Sequence, residues 1–480
     1  MKRDAFITIR RKSILKKAVI IKDSKGGAKL VLIILLIIVI PMIVFLVIRF
    51  EGAAPVISCN LPSPAIGLIH ELKLNIADES SGLRNMRAVI RKDGIEILLL
   101  EKDYPADHFI MGGTVTKDPV RIRIEPRKLK ISDGKVLLQI TARDYSWRNF
   151  WNGNPAKFEQ ELWIDTKPPE INVLTKAHNI NQGGCGLAIY QINEDLAEGG
   201  VMAGDIFFPG YAGYFSDKKI HLCFFALEYQ KGLDTEMYIL AVDQAGNKAK
   251  SRFPHYIRKK KFKEDTLAIS DHFLNSTIAG FEIPEEFKPS QLTLVDKFLK
   301  INRELRKQNT SSILEPGKNS DKVMYWEGIF LRLPNSAPRA GFADHRIYKY
   351  NGQTIDRQVH LGVDLASLAQ SEVPAANKGK VVFTGYVGIY GNTVVVDHGF
   401  GIFSVYSHLS RISVEVGKIV EKGEVLGKTG ETGLAAGDHL HFAMFVNNVF
   451  VNPIEWWDAS WIENNITSKI KDVESSFQAK

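Results

Sequence analysis

The sequence predicts a multidomain, mainly β chain with a single transmembrane helix. Three observations indicate this: an apolar run at residues 30–48, short alternating strands from about 52 to 254, and period-two strands between glycine turns towards the C-terminus. From them we expect a basic tail at 1–29, a transmembrane helix at 30–49, two immunoglobulin-like β-sandwiches at 52–167 and 168–254, a helical segment at 255–330, a C-terminal antiparallel barrel-sandwich-like domain at 331–460 and a tail at 461–480.

The apolar run is long enough to cross a bilayer. Residues 30–48 are apolar except for Pro41, and 19 residues of helix rise about 28 Å, close to the thickness of the hydrocarbon layer. A cleaved signal peptide is the alternative, since Ala53 and Ala54 are residues that a signal peptidase accepts. The 29 residues before the run are long for such a leader, which favours the membrane anchor.

The charge distribution predicts the orientation of this helix. Ten Lys or Arg and two acids lie in the first 29 residues. Of the 62 basic and 54 acidic residues in the chain, this leaves 52 of each sign in the remainder. We therefore expect a single-pass protein of the bacterial inner (cytoplasmic) membrane, with its N-terminus in the cytoplasm and its C-terminal domain periplasmic or extracellular. Because the excess charge is a topology signal, the sequence predicts no nucleic-acid partner.

A local repeat supports the two sandwiches. Residues 135–149 and 237–250 both read as an alternating strand, then Asp144 or Asp243, then a polar turn, and a Pro-Pro pair at 168–169 separates the two units.

Cysteine placement suggests one disulfide. Cys59, Cys185 and Cys223 all fall outside the membrane, where a disulfide is allowed, and we expect Cys185 to pair with Cys223 because the repeat puts both in one domain.

The segment at 255–330 changes to a helical pattern. Apolar residues recur at helical spacing after Pro289, on a face that includes Leu292, Leu299 and Leu305. This helix is expected to pack on the C-terminal domain or to cover its groove.

Two histidine motifs carry most of the chemistry. His360 and Asp364 lie in VHLGVDLA, and His439 and His441 lie in GDHLHFAMF. Apolar residues alternate with them, so each motif is expected to form one strand with both polar side chains on one face. His and Asp suit Zn²⁺, and three protein ligands leave the fourth position open for a reactive water. Each motif is weak singly in a chain with 12 histidines, and His408, in FSVYSHLS, is a further catalytic candidate.

Together the motifs resemble one family. The matching text is GFADHR, VHLGVDLAS, GKVVFTGYVGIYGNTVVVDHG, VYSHLS, VEVGKIVEKGEVLGKTGETG, GDHLHF and VNP. It is similar to the lysostaphin-type (LytM-type) zinc endopeptidases that cut peptide cross-links in bacterial cell walls. The resemblance implies that His360, Asp364 and His441 hold zinc while His408 and His439 are catalytic. One departure is Ala343, where the family usually has glycine.

The resemblance implies a membrane-anchored zinc metalloendopeptidase that hydrolyses peptide bonds in peptidoglycan cross-links or stem peptides. The alternative is a non-catalytic adaptor of the same fold that activates another wall hydrolase; protein partners cannot be read from the sequence. A biotinyl or lipoyl carrier shares the Val-x-x-Gly cadence, with Lys428 as its only candidate lysine. We expect His345 and His398 to be turn or rim residues.

Overall fold

The computed structural model describes residues 24–478 except 62, 109–111, 279–280, 283 and 285–292. Most of the predicted basic tail, and the predicted helix start after Pro289 with Leu292, therefore lie outside the described residues. The chain is multidomain and mainly β. It divides into two compact units, one formed by residues 1–64 and 69–164 and the other by 65–68 and 165–480.

Helix α1 is the N-terminal apolar helix. It runs over Ser24–Arg49, and its part Leu32–Arg49, with a mean hydropathy of 3.2, is long and apolar enough to cross a membrane, a property that a signal sequence shares. Its last turn is packed: the Trp147 ring lies 5.5 Å from Phe45 and 5.8 Å from Phe50, centroid to centroid. The Trp147 N–H donates to the Arg49 carbonyl at 2.7 Å. The helix therefore continues into the first β region without a free linker.

The first β region, residues 56–164, has its longer strands in two antiparallel sheets. Three form a sheet of order β1-β2-β5, and four pair in the order β7-β6-β3-β4. Burial alternates along β5, as expected for a strand with one face on a core. The strands are β1 Val56–Asn60, β2 His70–Ala77, β3 Leu83–Lys92, β4 Ile95–Asp103, β5 Lys117–Ile124, β6 Gly134–Asp144 and β7 Pro155–Ile164.

The second β region, residues 171–258, has a related layout. One sheet has the order β8-β10-β13, another the order β12-β11-β14-β15, and β9 pairs in parallel with β16. The strands are β8 Ile171–Val173, β9 His178–Asn181, β10 Cys185–Ile192, β11 Leu196–Ala203, β12 Ile206–Pro209, β13 Ile220–Ala226, β14 Met237–Asp243, β15 Lys248–Arg252 and β16 His255–Arg258. The immunoglobulin-like assignment of the two regions stays a prediction.

The aspartates of the sequence repeat hold the chain after a strand in both regions, although the connections differ in length. Each is buried and ends a strand. Asp144 accepts the backbone N–H groups of Ser146 at 3.0 Å and Asn154 at 2.6 Å. Asp243 accepts those of Ala245 and Asn247, both at 2.8 Å. The repeated sequence therefore corresponds to a buried carboxylate that fixes the chain after the strand.

The expected disulfide is wrong. Cys185 and Cys223 are both free and buried. Strand β10 pairs Cys185 with Ala226, and it pairs Ala188 with Cys223. The two cysteines are thus three register positions apart, and their side chains lie on opposite faces of the sheet.

The helical segment packs on the C-terminal domain. Thr293 caps helix α2, Leu294–Lys300, with a reciprocal capping box. A π-helical turn, Ile301–Leu305, leads into α3, Arg306–Leu314. The Phe298 ring lies 5.5 Å from that of Tyr348, and Asn309 accepts the Ile389 N–H at 2.9 Å.

The C-terminal domain, residues 331–457, is built on an antiparallel sheet. Its main order is β18-β21-β27-β25-β24-β23. A smaller sheet has the order β17-β19-β20, and β17, which comes from the segment before the domain, pairs in parallel with β19. Every residue of β25 and β27 is buried, so these strands form the centre of the core. The strands are β17 Glu264–Ala268, β18 Ala337–Ala340, β19 Asp344–Tyr350, β20 Gln353–His360, β21 Val363–Ala366, β22 Glu372–Pro374, β23 Gly379–Val387, β24 Gly391–Gly399, β25 Ile402–Leu409, β26 Val425–Lys428, β27 Leu440–Val446 and β28 Val449–Val451.

The predicted C-terminal tail is helical. After α4, Pro453–Trp457, it forms α5 Ala459–Ile462, a π-helical turn Glu463–Thr467 and α6 Ser468–Gln478. Apolar residues of this stretch are buried, and Lys469 donates to the Leu187 carbonyl of the second β region at 3.1 Å.

The second β region and the C-terminal domain share one core. The Phe224 ring of β13 lies 6.0 Å from Trp326 and 6.3 Å from Trp456. The buried Glu455 carboxylate accepts from the Asn181 amide at 2.6 Å and from the Cys185 N–H at 3.0 Å. The second β region is therefore built into the unit that carries the histidine motifs.

Candidate metal centre

The first motif is not one strand. His360 is the last residue of β20 in the small sheet, whereas Asp364 lies in β21 of the main sheet. The expectation of a continuous strand is wrong because the chain passes over the His441 ring between the two. A Cβ on Gly362 would lie 2.6 Å from two atoms of that ring, so only glycine fits this passage.

The break still brings the three predicted ligands together. The distances His360 Nε2 to Asp364 Oδ1, His360 Nε2 to His441 Nδ1 and His441 Nδ1 to Asp364 Oδ1 are all 2.9 Å. All three residues are buried. Ligands around a tetrahedral zinc ion, with bonds of 2.0–2.1 Å, are separated by about 3.3 Å, so a small outward shift would complete one face of a zinc site. The group can hold a metal ion.

The donor set fits a cation. His360 Nδ1 is 2.9 Å from the Gly341 carbonyl, to which it must donate, and this leaves a lone pair on Nε2 of the neutral ring. His360 Nε2 faces the Asp364 carboxylate oxygen at 2.9 Å, and two acceptors this close need a proton or a metal ion between them. Among the described residues, His441 Nε2 is buried without a hydrogen-bond partner. Arg346 donates to the outer carboxylate oxygen, Asp364 Oδ2, at 3.0 Å and so orients it.

The protonation states also suit metal binding. Burial alone would raise the pKa of the Asp364 carboxyl, but His360 and His441 together hold that pKa well below its ordinary range. Burial lowers the pKa of His441 to about 4. The carboxyl is therefore charged and the imidazole neutral near pH 7, which are the forms that bind metal.

The two predicted catalytic histidines stand beside the ligands. The His408 ring is 4.8 Å from that of His439 and 5.8 Å from that of His441. His408 Nδ1 is 2.8 Å from the Thr432 carbonyl, and His439 Nδ1 is 2.8 Å from the Gly437 carbonyl. Each ring therefore donates through Nδ1 and keeps Nε2 free as a base when neutral.

His408 is also held in an unusual state. Its φ of 61° is in the left-handed region, which is strained for a side chain with a Cβ. Burial, together with the neighbouring imidazoles of His439 and His441, lowers its pKa to about 3. The ring is neutral at physiological pH.

A groove of about 310 Å³ contains all five predicted residues. It is also lined by Tyr390, Arg306 and Arg339, which sequence reasoning missed. The Tyr390 ring lies 5.7 Å from that of His441. Tyr390 lies in GIYGN, a part of the text that resembles the family, so the sequence could have pointed to it. Nothing in the local sequence of Arg306 points to a site, because its position depends on how α3 packs.

The expectation that His398 is a turn or rim residue is wrong, and the placement of Lys428 does not support the carrier alternative. His398 is no rim residue: it is fully buried in β24, with Nδ1 2.7 Å from the Lys378 carbonyl and Nε2 2.7 Å from Ser404 Oγ. His345 is exposed and lies 6.2 Å from the Tyr229 ring. Lys428 ends strand β26, paired with Glu372, and is not at the hairpin tip that a carrier requires.

An antiparallel β domain with a His-Asp-His group in a groove is typical of a metal-dependent hydrolase. The family follows from comparison. A model of peptidase family M23 matches residues 358–453, and this part of the chain belongs to that lysostaphin/LytM-type family. The chain is 39% identical over 97 residues to the DD-carboxypeptidase/endopeptidase Mpg of Neisseria meningitidis serogroup B, covering 20% of this chain and 22% of that relative.

Two further relatives match the same domain. Peptidoglycan DD-endopeptidase ShyC of Vibrio cholerae is 32% identical over 126 residues, covering 26% of this chain and 28% of the relative. Among solved structures, the catalytic domain of the antimicrobial peptidase lysostaphin from Staphylococcus simulans shows 29% identity with a TM-score of 0.24, over 27% of this chain and 98% of that chain. The chain thus spans roughly a quarter of the length of these curated relatives.

Proposed function

We propose that this chain is a membrane-anchored zinc metalloendopeptidase that hydrolyses peptide bonds in peptidoglycan cross-links or stem peptides during cell-wall remodelling. One observation carries the proposal: three buried ligand atoms of His360, Asp364 and His441, each 2.9 Å from the others, flanked by two further imidazoles in an open groove. The names of the relatives, which include a peptidoglycan DD-endopeptidase, support the substrate.

In this proposal His360, Asp364 and His441 hold Zn²⁺. A bound zinc ion lowers the pKa of its water towards 7 and polarises the scissile carbonyl. His408 and His439 would transfer the proton and stabilise the transition state. One accepts the proton that the attacking water loses, through an Nε2 kept free by its Nδ1 hydrogen bond, and the other donates to the developing oxyanion or orients the first.

Membrane anchoring through helix α1 is also part of the proposal. Helix α1 would be the single span, and the basic N-terminal residues would stay in the cytoplasm. The metallopeptidase domain would then lie in the periplasm or outside the cell, where peptidoglycan is found.

The test uses the full chain in detergent or a nanodisc. We expect about one zinc ion per chain, and release of new peptides from purified peptidoglycan. His439→Ala should keep the zinc and lose at least about 100-fold of the activity, because one imidazole of the proton-transfer pair is gone. A wild-type protein that holds zinc but releases no wall peptides would overturn the endopeptidase proposal and favour the adaptor.

A further inference from the structure

The groove beside the metal centre has more positive charge than the metal ligands use. Its wall contains Arg306 and Arg339 in addition to Arg346. Arg346 is paired with Asp364 at 3.0 Å, and the one other acid of the wall, Asp265, is paired with Lys263 at 2.7 Å. Among the described residues, Arg306 and Arg339 are left without a carboxylate partner.

Arg306 is held in place by buried groups. It follows the π-helical turn Ile301–Leu305, whose wider geometry often marks functional sites. Its Nε and Nη2 donate to the Asn302 side-chain oxygen at 3.2 and 2.6 Å. Asn302 is fully buried and donates in turn to Asp356 Oδ2 at 2.7 Å. A neutral amide thus fixes one edge of the guanidinium and leaves its positive charge unpaired.

Arg306 lines the same groove as the metal centre. Arg306 and Tyr390 both line the groove, and the Tyr390 ring lies 5.7 Å from that of the proposed zinc ligand His441. Thr310, one turn further along α3, is 3.2 Å from the Tyr390 hydroxyl. One aromatic side chain therefore separates the helical segment from the metal centre. The segment is a wall of the groove.

We infer that Arg306, with Arg339, forms a subsite that binds a free carboxylate of the substrate next to the scissile bond. The groove then selects stem peptides that carry such a carboxylate over neutral bridge peptides. The chemistry is specific because a guanidinium donates two parallel N–H groups to a carboxylate, and the preset orientation of Arg306 lowers the entropy lost on binding. This inference rests on the proposed peptidase function and names the class of peptide that it takes.

The test compares two synthetic cross-linked peptides that differ only in a carboxylate or a carboxamide beside the scissile bond. We expect the zinc-loaded full chain to prefer the acid by about 10- to 100-fold in kcat/KM, the usual effect of a hydrogen bond to a charged group. Arg306→Gln should lose that preference mainly through KM on the acid, with little change on the amide. Lys307→Gln removes the same charge from the adjacent exposed position outside the groove and should leave the preference intact.

A structural role for Arg306 predicts a different result. If Arg306→Gln lowers activity on the acid and the amide by the same factor, the residue only supports the helix and the inference is wrong. An equal preference for both peptides in the wild type would also overturn it.

A binding measurement separates this inference from the proposed function. Calorimetric titration of both peptides into the zinc-loaded His439→Ala variant, with and without Arg306→Gln, needs no catalysis. Tighter binding of the acid that disappears with Arg306→Gln supports the subsite even if the wild type cleaves neither peptide, and in that case only the endopeptidase proposal fails. Equal affinities, or no measurable binding of the acid, contradict the subsite whatever the cleavage assay shows.

Discussion

The two β regions use the same local device in different ways. Asp144 and Asp243 each fix the turn after a strand through two backbone N–H groups. The first region then closes a core within its own unit, whereas the second buries Phe224 against Trp326 of the preceding segment and Trp456 of the metallopeptidase domain. The turn motif is thus common to both regions, whereas aromatic packing joins only the second region to the metallopeptidase domain within one unit.

The largest expected effect is on the metal centre of the second unit. Asp364→Ala should reduce the zinc content from about one to near zero, because two imidazoles alone leave the set of three ligands incomplete. Wall digestion should fall by about 10³-fold or more. Metal analysis and a peptide-release assay measure both effects. The first unit should melt at an unchanged temperature, and an unchanged zinc content would contradict the ligand assignment.

The shared core gives the next effect. Trp456→Ala should destabilise the second unit by about 3–5 kcal/mol, because a fully buried indole is removed from between the β region and the metallopeptidase strands. Hydrogen exchange should show β10, β13, β25 and β27 losing protection together. Ile122→Ala, in the buried face of β5, is the matched change in the first unit and should leave those strands protected. Separate loss of β10 and β13 would show that the second region is an independent module.

A pH effect should also be confined to the second unit. Burial raises the pKa of Glu455 from 4.5 to about 7. The folded state therefore holds a proton that the unfolded state has lost between these values, and the unfolding free energy should fall by roughly 2–3 kcal/mol as the pH rises from about 4.5 to 7. Denaturant titrations of the wild type and Glu455→Gln over this range measure it. The difference between the two curves isolates Glu455, and parallel curves would contradict the assignment.

The smallest effects test the equivalence of the two turns. Asp144→Asn and Asp243→Asn each keep an acceptor oxygen but lose its charge, so each should cost about 1 kcal/mol. The first should lower only the melting temperature of the first unit, and the second only that of the second unit. Calorimetry resolves the two transitions. Unequal costs of several kcal/mol would show that the turns have different roles.

More of the candidate site than of the fold could be predicted from the sequence. The family resemblance of their motifs implied that five residues share one site, and all five line one groove: His360, Asp364, His408, His439 and His441. The break at Gly362 was not predictable, since it depends on the ring of His441 far along the chain.

Other misses also come from long-range packing. The free state of Cys185 and Cys223 follows from strand register, which local patterns do not set. The role of Arg306 depends on Asn302 meeting Asp356 across the domain. Residues 462, 466, 470 and 473 repeat at helical spacing and are buried, so their pattern indicates a packed helix in place of the expected tail.

The joint between α1 and the first β region has a mechanical consequence. Phe50 donates its N–H to Leu46, Trp147 donates to Arg49, and the Arg148 side chain donates to the Phe50 carbonyl, so the chain leaves the helix as a stiff coupling. In an anchored protein such a coupling acts as a lever. Transmembrane helices tilt to match the thickness of their bilayer, by about 20° on average. If α1 spans a bilayer as proposed, the lipid layer would set, through the tilt of α1, the angle at which the first β region stands on the membrane.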